Sequence, residues 1–378
     1  MNDTQQILPC LDSIPREVRC AQDYEDLARH FIPAPALAYI AGGCGRELTL
    51  AANLRAFDEA RLWPRLLRPT VDGHTRLNLL GRQLTHPLLL APVAYQTLVH
   101  PGGECETARG AAAMDTPLVL STLSGHSLEA VAAVTQGLRW FQLYFQARRE
   151  VTVDLVRRAE MAGYAALVVT LDATIRSPGR RAQALGFEMP GNVQEANLIN
   201  YPAAESLTVG RGESRIFQGV MRAAPTWEDL IWLLGQTRLP VIVKGVMHPD
   251  DARRLRDLGV AAQVVSNHGG RTTDGAPASL SVLPRVRTAL GADYPLLFDG
   301  GIRAGADVFK ALAHGANAVL IGRLQVYALA IAGALGVAHL LRTLREELEV
   351  CMAQTGCATL ADIGPHMLFN SRQEDSSC

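Results

Sequence analysis

The segment 240–271, PVIVKGVMHPDDARRLRDLGVAAQVVSNHGGR, decides the architecture. It opens on an apolar, β-branched run, passes through residues whose apolar members recur at helical spacing, and returns to a second apolar run that ends in Ser-Asn-His-Gly-Gly-Arg. Runs that are apolar throughout suit strands buried on both faces, and a helix between two of them makes the crossover of a parallel sheet. The same unit recurs along the chain. Apolar runs occupy 88–93, 118–121, 140–144, 166–171, 240–244, 262–266, 295–298 and 318–321, with helical patterns such as CETARGAAAMD, REVTVDLVRRAEMAG and SLSVLPRVRTALG between them. Eight repeats of the unit fit a closed (β/α)8 TIM barrel, with an open doubly wound sheet as the lesser alternative.

Around this barrel, assigned to 88–363, residues 1–87 read as an N-terminal cap segment, helical first and then extended, and 364–378 as a C-terminal tail. The segment 182–225, after the fourth strand, is polar, punctuated by Gly and Pro, and far longer than an ordinary connection. It reads as a mobile loop over a site. The 36 Lys and Arg balance 37 Asp and Glu without any block of like charge, which argues against nucleic acid or an anionic membrane surface as partner and leaves small molecules. The start of the chain lacks the basic-then-apolar pattern of a secretory signal, and the apolar stretch 326–338 is short for a bilayer and interrupted by Gly333 and Gly336. Seven cysteines without a C-x-x-C pair read as reduced thiols in a cytoplasmic protein, and no histidine shows metal-ligand spacing.

In a (β/α)8 barrel the chemistry gathers at the C-terminal ends of the strands. Here those ends are polar in almost every unit: Ser121, Gln142 with Tyr144, Thr170 with Asp172, Lys244, Ser266 with His268, Asp299 and Arg323. The glycines and arginines of DGGIRAG and IGR, after strands seven and eight, suit a phosphate held on backbone N–H groups; the alternative is that the glycines merely turn a loop. Lys244 closes an otherwise apolar strand and needs an anion beside it, unless it is a rim lysine reaching solvent. A lone histidine is usually structural, but His268 has Asp172 to stabilise its imidazolium and Arg271 to hold a carboxylate, so the three form an acid/base constellation.

These residues resemble the FMN-dependent α-hydroxy acid oxidases and dehydrogenases, the family that contains glycolate oxidase and hydroxymandelate oxidase. The resemblance runs from about residue 24 to 363, through AGG, APVAYQTLVHPGGE, FQLY, TLDA, PVIVKG, SNHGGR, DGGIRAGADVFKALAHGA and IGR. It implies His268 as base with Asp172 as its partner, Arg271 and Tyr39 on the substrate carboxylate, and Tyr144 near the substrate oxygen. A second arginine is implied by the Gly-Arg-Arg after strand four; the spacing here is two residues longer than in glycolate oxidase, which favours Arg181 and leaves Arg180 and Arg176 open. For FMN, the resemblance places Ala94, Ser121, Gln142, Thr170, Lys244 and Ser266 around the ring and ribityl chain. It places Asp299, Gly301, Arg303, Gly322 and Arg323 on the ribityl hydroxyls and phosphate.

The implied reaction is oxidation of an L-2-hydroxy acid to the 2-oxo acid, with His268 taking a proton from either the α-carbon or the hydroxyl. Leu123 stands where glycolate oxidase has a Trp, and Tyr95 is a second difference facing the substrate side chain, so lactate or a larger alkyl or aryl acid is expected rather than glycolate. Ala94, where dehydrogenases of the family tend to carry Gly, favours an oxidase reducing O2 to H2O2. The rivals are a dehydrogenase passing electrons to a quinone or another acceptor, and a non-catalytic flavin-binding barrel. The resemblance also implies a homotetramer. The segment 182–225 lacks the apolar run that would carry it into lipid.

Overall fold

A computed structural model describes residues 7–175, 179–202 and 209–369. The chain enters through three cap helices, α1 (Asp23–Ala28), α2 (Ala34–Ala41) and α3 (Leu48–Glu59), then a hairpin of two short strands, Leu77–Leu79 and Arg82–Leu84. Eight parallel strands follow: Leu88–Leu90, Leu118–Leu120, Arg139–Leu143, Leu167–Thr170, Val241–Val246, Ala262–Val265, Leu296–Asp299 and Ala318–Ile321. Each pairs with the next in sequence, and the register Ile321↔Leu90 joins the eighth to the first. Closure leaves the sheet without an edge, so the barrel stands and the open sheet does not. Each strand lies within three residues of the run expected for it at either end, because strands buried on both faces are apolar at every position.

The helices that cover the barrel are α4 (Gly103–Ala113), α5 (Leu128–Ala133), α6 (Arg149–Met161), α7 (Arg180–Ala184), α8 (Trp227–Leu234), α9 (Pro249–Asp257), α10 (Ser279–Leu290), α11 (Gly305–Ala313) and α12 (Arg323–Thr355). The last begins at Arg323, contains the apolar stretch at 326–338 and runs on well beyond it. By length and apolarity α12 could cross a bilayer, yet 78% of its most apolar window is buried inside this fold. It breaks at Ala332 and Gly333, whose backbone leaves the helical region, and beside the break the Ile331 carbonyl accepts the Leu11 N–H at 2.8 Å.

Side chains on a strand alternate in direction, so residues two apart face the same way. Leu89, Val119, Trp140, Val168, Ile242, Val264, Leu297 and Leu320 form one interior cluster, joined by Leu79 and Leu84 of the hairpin that closes the N-terminal side. Two residues further along the same strands come Ala91, Ser121, Gln142, Thr170, Lys244, Ser266, Asp299 and Gly322. Eight strands in register thus set a polar layer directly on an apolar one. The floor of the site is a consequence of the barrel's period.

The long segment 182–225 is not uniformly detached. The Asn197 side chain is buried, accepting from Leu128 N at 2.7 Å and donating to Thr122 O and Ser124 Oγ, while Arg158 donates to Asn197 O at 2.9 Å. Residues 203–208 of this segment lie outside the described residues. The tail pairs Leu368–Phe369 with Arg61–Leu62, and 370–378 also lie outside them, as do the first six residues of the cap.

The cap is fastened to the barrel by a buried amide pair. Asn53 of α3 and Asn267 each donate Nδ2 to the other's Oδ1 at 2.8 Å, and Asn53 Oδ1 also accepts Ser279 N at 3.1 Å. Asn53→Ala strips a partner from both Asn267 and the Ser279 amide, and is expected to lower stability by about 2 kcal/mol. The measurement is the midpoint of urea unfolding; an unchanged midpoint would show that the cap is not fastened here.

Candidate active site

The polar layer carries an ammonium that water does not reach. Lys244 Nζ lies 2.8 Å from Asp299 Oδ2 and donates to Ser266 Oγ at 2.9 Å, and Ser266 in turn donates to Asp299 at 2.7 Å. Burial by itself would drive the ammonium toward neutrality, but Asp299 and Asp172 hold its pKa above the ordinary lysine value. The anion that Lys244 requires is therefore supplied, at least in part, by the protein. The barrel strand bulges between Lys244 and Val246, and Gly245 takes φ +106° where an added Cβ would meet the Asp172 side chain at 2.6 Å. Only glycine lets Asp172 approach this closely.

His268 sits just past the sixth strand. Its Nδ1 faces Asp172 Oδ1 at 2.9 Å, and its backbone N–H donates to the Ser266 hydroxyl at 3.0 Å. Burial raises the Asp172 pKa, yet the His268 imidazole and the Lys244 ammonium outweigh it and keep the carboxyl below its usual range. His268, Gly269 and Gly270 all have φ between +55° and +73°, a left-handed run that Asn267 steadies by accepting the Gly270 N–H. A Cβ on Gly270 would meet the Leu50 amide nitrogen at 2.6 Å, so the turn also needs glycine in order to pack against α3. Arg271 is then aimed at the C-terminal end of α2: Nη1 donates to the carbonyls of Tyr39, Ile40 and Gly42, and the guanidinium lies 5.1 Å from the centroid of the Tyr39 ring.

Lys244, His268, Arg271 and Asp299 face one cavity. Lys244, His268, Arg271, Tyr144, Ser121 and Asp299 give it a polar side; Pro92, Val93, Ala94, Tyr95, Leu98 and Val326 give it an apolar one. Tyr39 also lines it, with its ring stacked on Phe187 of the long segment at 4.5 Å between centroids. Gln142 and Thr170 stand in the same polar layer. Gln142 Oε1 accepts from Ser121 Oγ and Thr122 N, but among the described residues its Nε2 is buried without a partner, as is Thr170 Oγ1. Buried polar atoms are normally satisfied, and two lapses in one layer fit a bound group with a hydrogen-bonding edge.

The cavity also has a cationic end. Arg323 begins α12 and is partly buried, donating to the carbonyls of Ile40, Gly42 and Gly269; among the described residues no carboxylate forms an ion pair with it. Burial, with Arg271 nearby, pushes its pKa down to about 10. A guanidinium left so poorly compensated at a helix N-terminus is suited to an anion, and a Cβ added to Gly322 beside it would meet open space. Gly301 follows strand seven at φ +85°, in close packing against Asn53 O.

Nine expected residues do not line the cavity: Asp172, Gln142, Thr170, Ser266, Gly301 and Gly322 belong to the strand ends around it, and Arg181, Arg303 and Leu123 are turned elsewhere. Arg181 forms a two-pronged ion pair with Glu47, at 3.0 and 2.9 Å, which holds it on the cap rather than over the pocket. Arg180 is exposed, and Arg176 lies outside the described residues. Arg303 is paired in the same manner with Glu25 of α1, at 2.5 and 3.0 Å. Leu123 contributes its carbonyl, accepting the Tyr95 N–H at 3.1 Å, and its side chain is not among those facing the cavity. The carboxylates Glu25, Glu47 and Glu195, the last accepting from the Tyr95 hydroxyl, were not anticipated. Each acts on a residue at least 100 positions away, and no local pattern announces it.

Comparison with known proteins agrees with this arrangement. The family model described as FMN-dependent dehydrogenase matches residues 28–370. An L-lactate oxidase of Alicycliphilus denitrificans is 59% identical over 352 residues, covering 93% of this chain and 96% of that protein. A 4-hydroxymandelate oxidase of Amycolatopsis orientalis is 42% identical, covering 89% and 94%. The crystal structure of mandelate oxidase with (S)-2-phenylpropionate superposes with a TM-score of 0.83 at 39% identity, covering 93% of this chain and 97% of that one. With the closed barrel, the polar layer and the His268–Asp172 pair on one side and these relatives on the other, the chain belongs to the FMN-dependent dehydrogenase family, which includes the α-hydroxy acid oxidases.

Proposed function

We propose that this protein is an FMN-dependent L-2-hydroxy acid oxidase that converts L-lactate, or a larger alkyl or aryl acid, to the 2-oxo acid while O2 becomes H2O2. The observation that carries this reading is His268, held by Asp172 and facing the same cavity as Arg271 and the buried Lys244. Ala94 on the apolar wall and the oxidase relatives support O2 as acceptor rather than a quinone. The unpaired Gln142 Nε2 and Thr170 Oγ1, with Ala94, Ser121, Lys244 and Ser266, would surround the flavin ring and its ribityl chain. Asp299, Gly301, Gly322 and Arg323 would serve the ribityl hydroxyls and phosphate, together with Arg303 in its pairing with Glu25.

When bound, FMN supplies the two-electron acceptor. The chain's own residues prepare the substrate. Arg271, with its guanidinium held over Tyr39, fixes the carboxylate, and Tyr144 borders the substrate oxygen. With Nδ1 turned to Asp172, the imidazole presents Nε2 as the atom that takes the proton, from the α-carbon or from the hydroxyl. Asp172 stabilises the resulting imidazolium, and Lys244 provides fixed positive charge where negative charge develops. Arg181 would join the carboxylate by exchanging Glu47 for it.

Reduced cysteines support a cytoplasmic location, with no membrane or nucleic-acid partner. The exposed apolar residues Leu66, Leu67 and Val71 support self-association, which we take to be a homotetramer. Light scattering on the eluted protein should give four times the chain mass; a monomer at micromolar concentration would remove this part of the reading.

Anaerobic mixing with a panel of L- and D-2-hydroxy acids should bleach the flavin with L-lactate, and admission of air should restore it with one H2O2 per turnover. A flavin that no hydroxy acid bleaches would defeat the proposal, and one restored only by a quinone would move it to the dehydrogenases. His268→Gln should keep the flavin and slow bleaching by a factor on the order of 10³. Asp172→Asn removes the charge that favours the protonated imidazole, so the acid limb of the kcat/KM profile should move to lower pH while the rate falls. A limb that stays in place would separate Asp172 from the proton transfer.

A further inference from the structure

The apolar wall of the cavity comes mainly from one strap, residues 91–98, that leaves the first strand. Tyr95 is its largest side chain, and its backbone is unusual: φ is +57°, a left-handed conformation that a bulky residue adopts only when its surroundings enforce it. Two contacts do so locally. The Tyr95 N–H donates to Leu123 O at 3.1 Å, and the Tyr95 carbonyl accepts Leu98 N at 2.9 Å. These set the backbone.

The ring is fixed from elsewhere. The Tyr95 hydroxyl donates to Glu195 Oε1, from the long segment after strand four. Glu195 does not itself line the cavity, but its position is closely determined, because its neighbours are fastened to the barrel. Ala196 N donates to Ser124 O at 3.0 Å, and Asn197 is sunk among Ser121, Thr122, Ser124 and Leu128. A hydrogen bond to a carboxylate is about twice as strong as one between neutral groups, and it is directional. A phenol tied by its tip and by its backbone has little freedom to move aside.

We propose that Tyr95 is the wall against which the substrate's side chain packs, and that Glu195 is the positioning residue that limits the size of that side chain, favouring the methyl of lactate over an aryl group. The inference rests on the oxidase reading above. Glu195 supplies no group to the reaction. It acts by denying the Tyr95 ring the rotamers that would enlarge the pocket, and the substrate class follows from the residual space.

The test compares kcat/KM for L-lactate and L-mandelate in the flavin-loaded wild type and in Tyr95→Phe, Glu195→Ala and Glu195→Gln. Tyr95→Phe keeps the ring and releases its tip; Glu195→Ala removes the acceptor; Glu195→Gln retains an acceptor oxygen at the same reach. The first two should shift the lactate-to-mandelate preference toward mandelate by roughly ten-fold or more, the scale of a pocket-size effect. Glu195→Gln should stay near the wild-type ratio. An unchanged ratio in the first two overturns the proposal, as does a shift in Glu195→Gln equal to that in Glu195→Ala. A loss of flavin affinity in Glu195→Ala that accompanies the shift, read by fluorescence quenching, would also overturn it, since the effect would then be general loosening. Wild-type enzyme that neither acid bleaches fails the oxidase reading instead, so the two failures are distinguishable.

Discussion

The site is organised around one charge that cannot reach water, the ammonium of Lys244. Burying a cation costs several kcal/mol unless anions and hydrogen bonds surround it. Asp299 answers from strand seven, Ser266 from strand six and Asp172 from beyond strand four, so four adjacent strand ends are drawn together by the needs of a single side chain. The same hydroxyl that accepts from Lys244 also accepts the His268 N–H, and the same Asp172 that faces Lys244 orients the His268 ring. The placement of the base is thus a by-product of charge compensation in the barrel interior.

A second dependence links the catalytic turn to the N-terminal cap. Arg271 and Arg323 follow different strands of the barrel, yet both donate to the carbonyls of Ile40 and Gly42 at the end of α2. The C-terminus of a helix carries partial negative charge and unsatisfied carbonyls, which suits it to guanidinium groups. The cap therefore contributes more than a cover. Without it Arg271 would lose the carbonyls it donates to and Arg323 all but that of Gly269, and for that reason the cap cannot be regarded as a separable lid.

The barrel was legible because its physics is repetitive. Parallel strands buried on both faces are continuously apolar, and the interior layer two residues beyond each apolar one is read directly from strand ends such as VIVK and VVSN. Lys244, His268 and Asp172 were accessible by the same route. What the sequence concealed were pairings between distant segments: Arg303 with Glu25, Arg181 with Glu47, Tyr95 with Glu195 and Asn53 with Asn267. A surface carboxylate and one that grips a buried guanidinium look alike in one dimension. The break inside α12 was hidden for a different reason: nothing near Gly333 in the sequence shows that the distant Leu11 amide takes up a carbonyl beside it.

That contact between Leu11 and Ile331 has a bearing on how the molecule is made. A ribosome delivers residue 11 long before residue 331, so the N-terminal strand of contacts must wait, undocked, through synthesis of nearly the entire barrel. The cap helices, whose carbonyls hold Arg271 and Arg323, share that delay. Assembly of the reactive centre is in this sense a terminal event, completed only when the two extremities of the polypeptide meet.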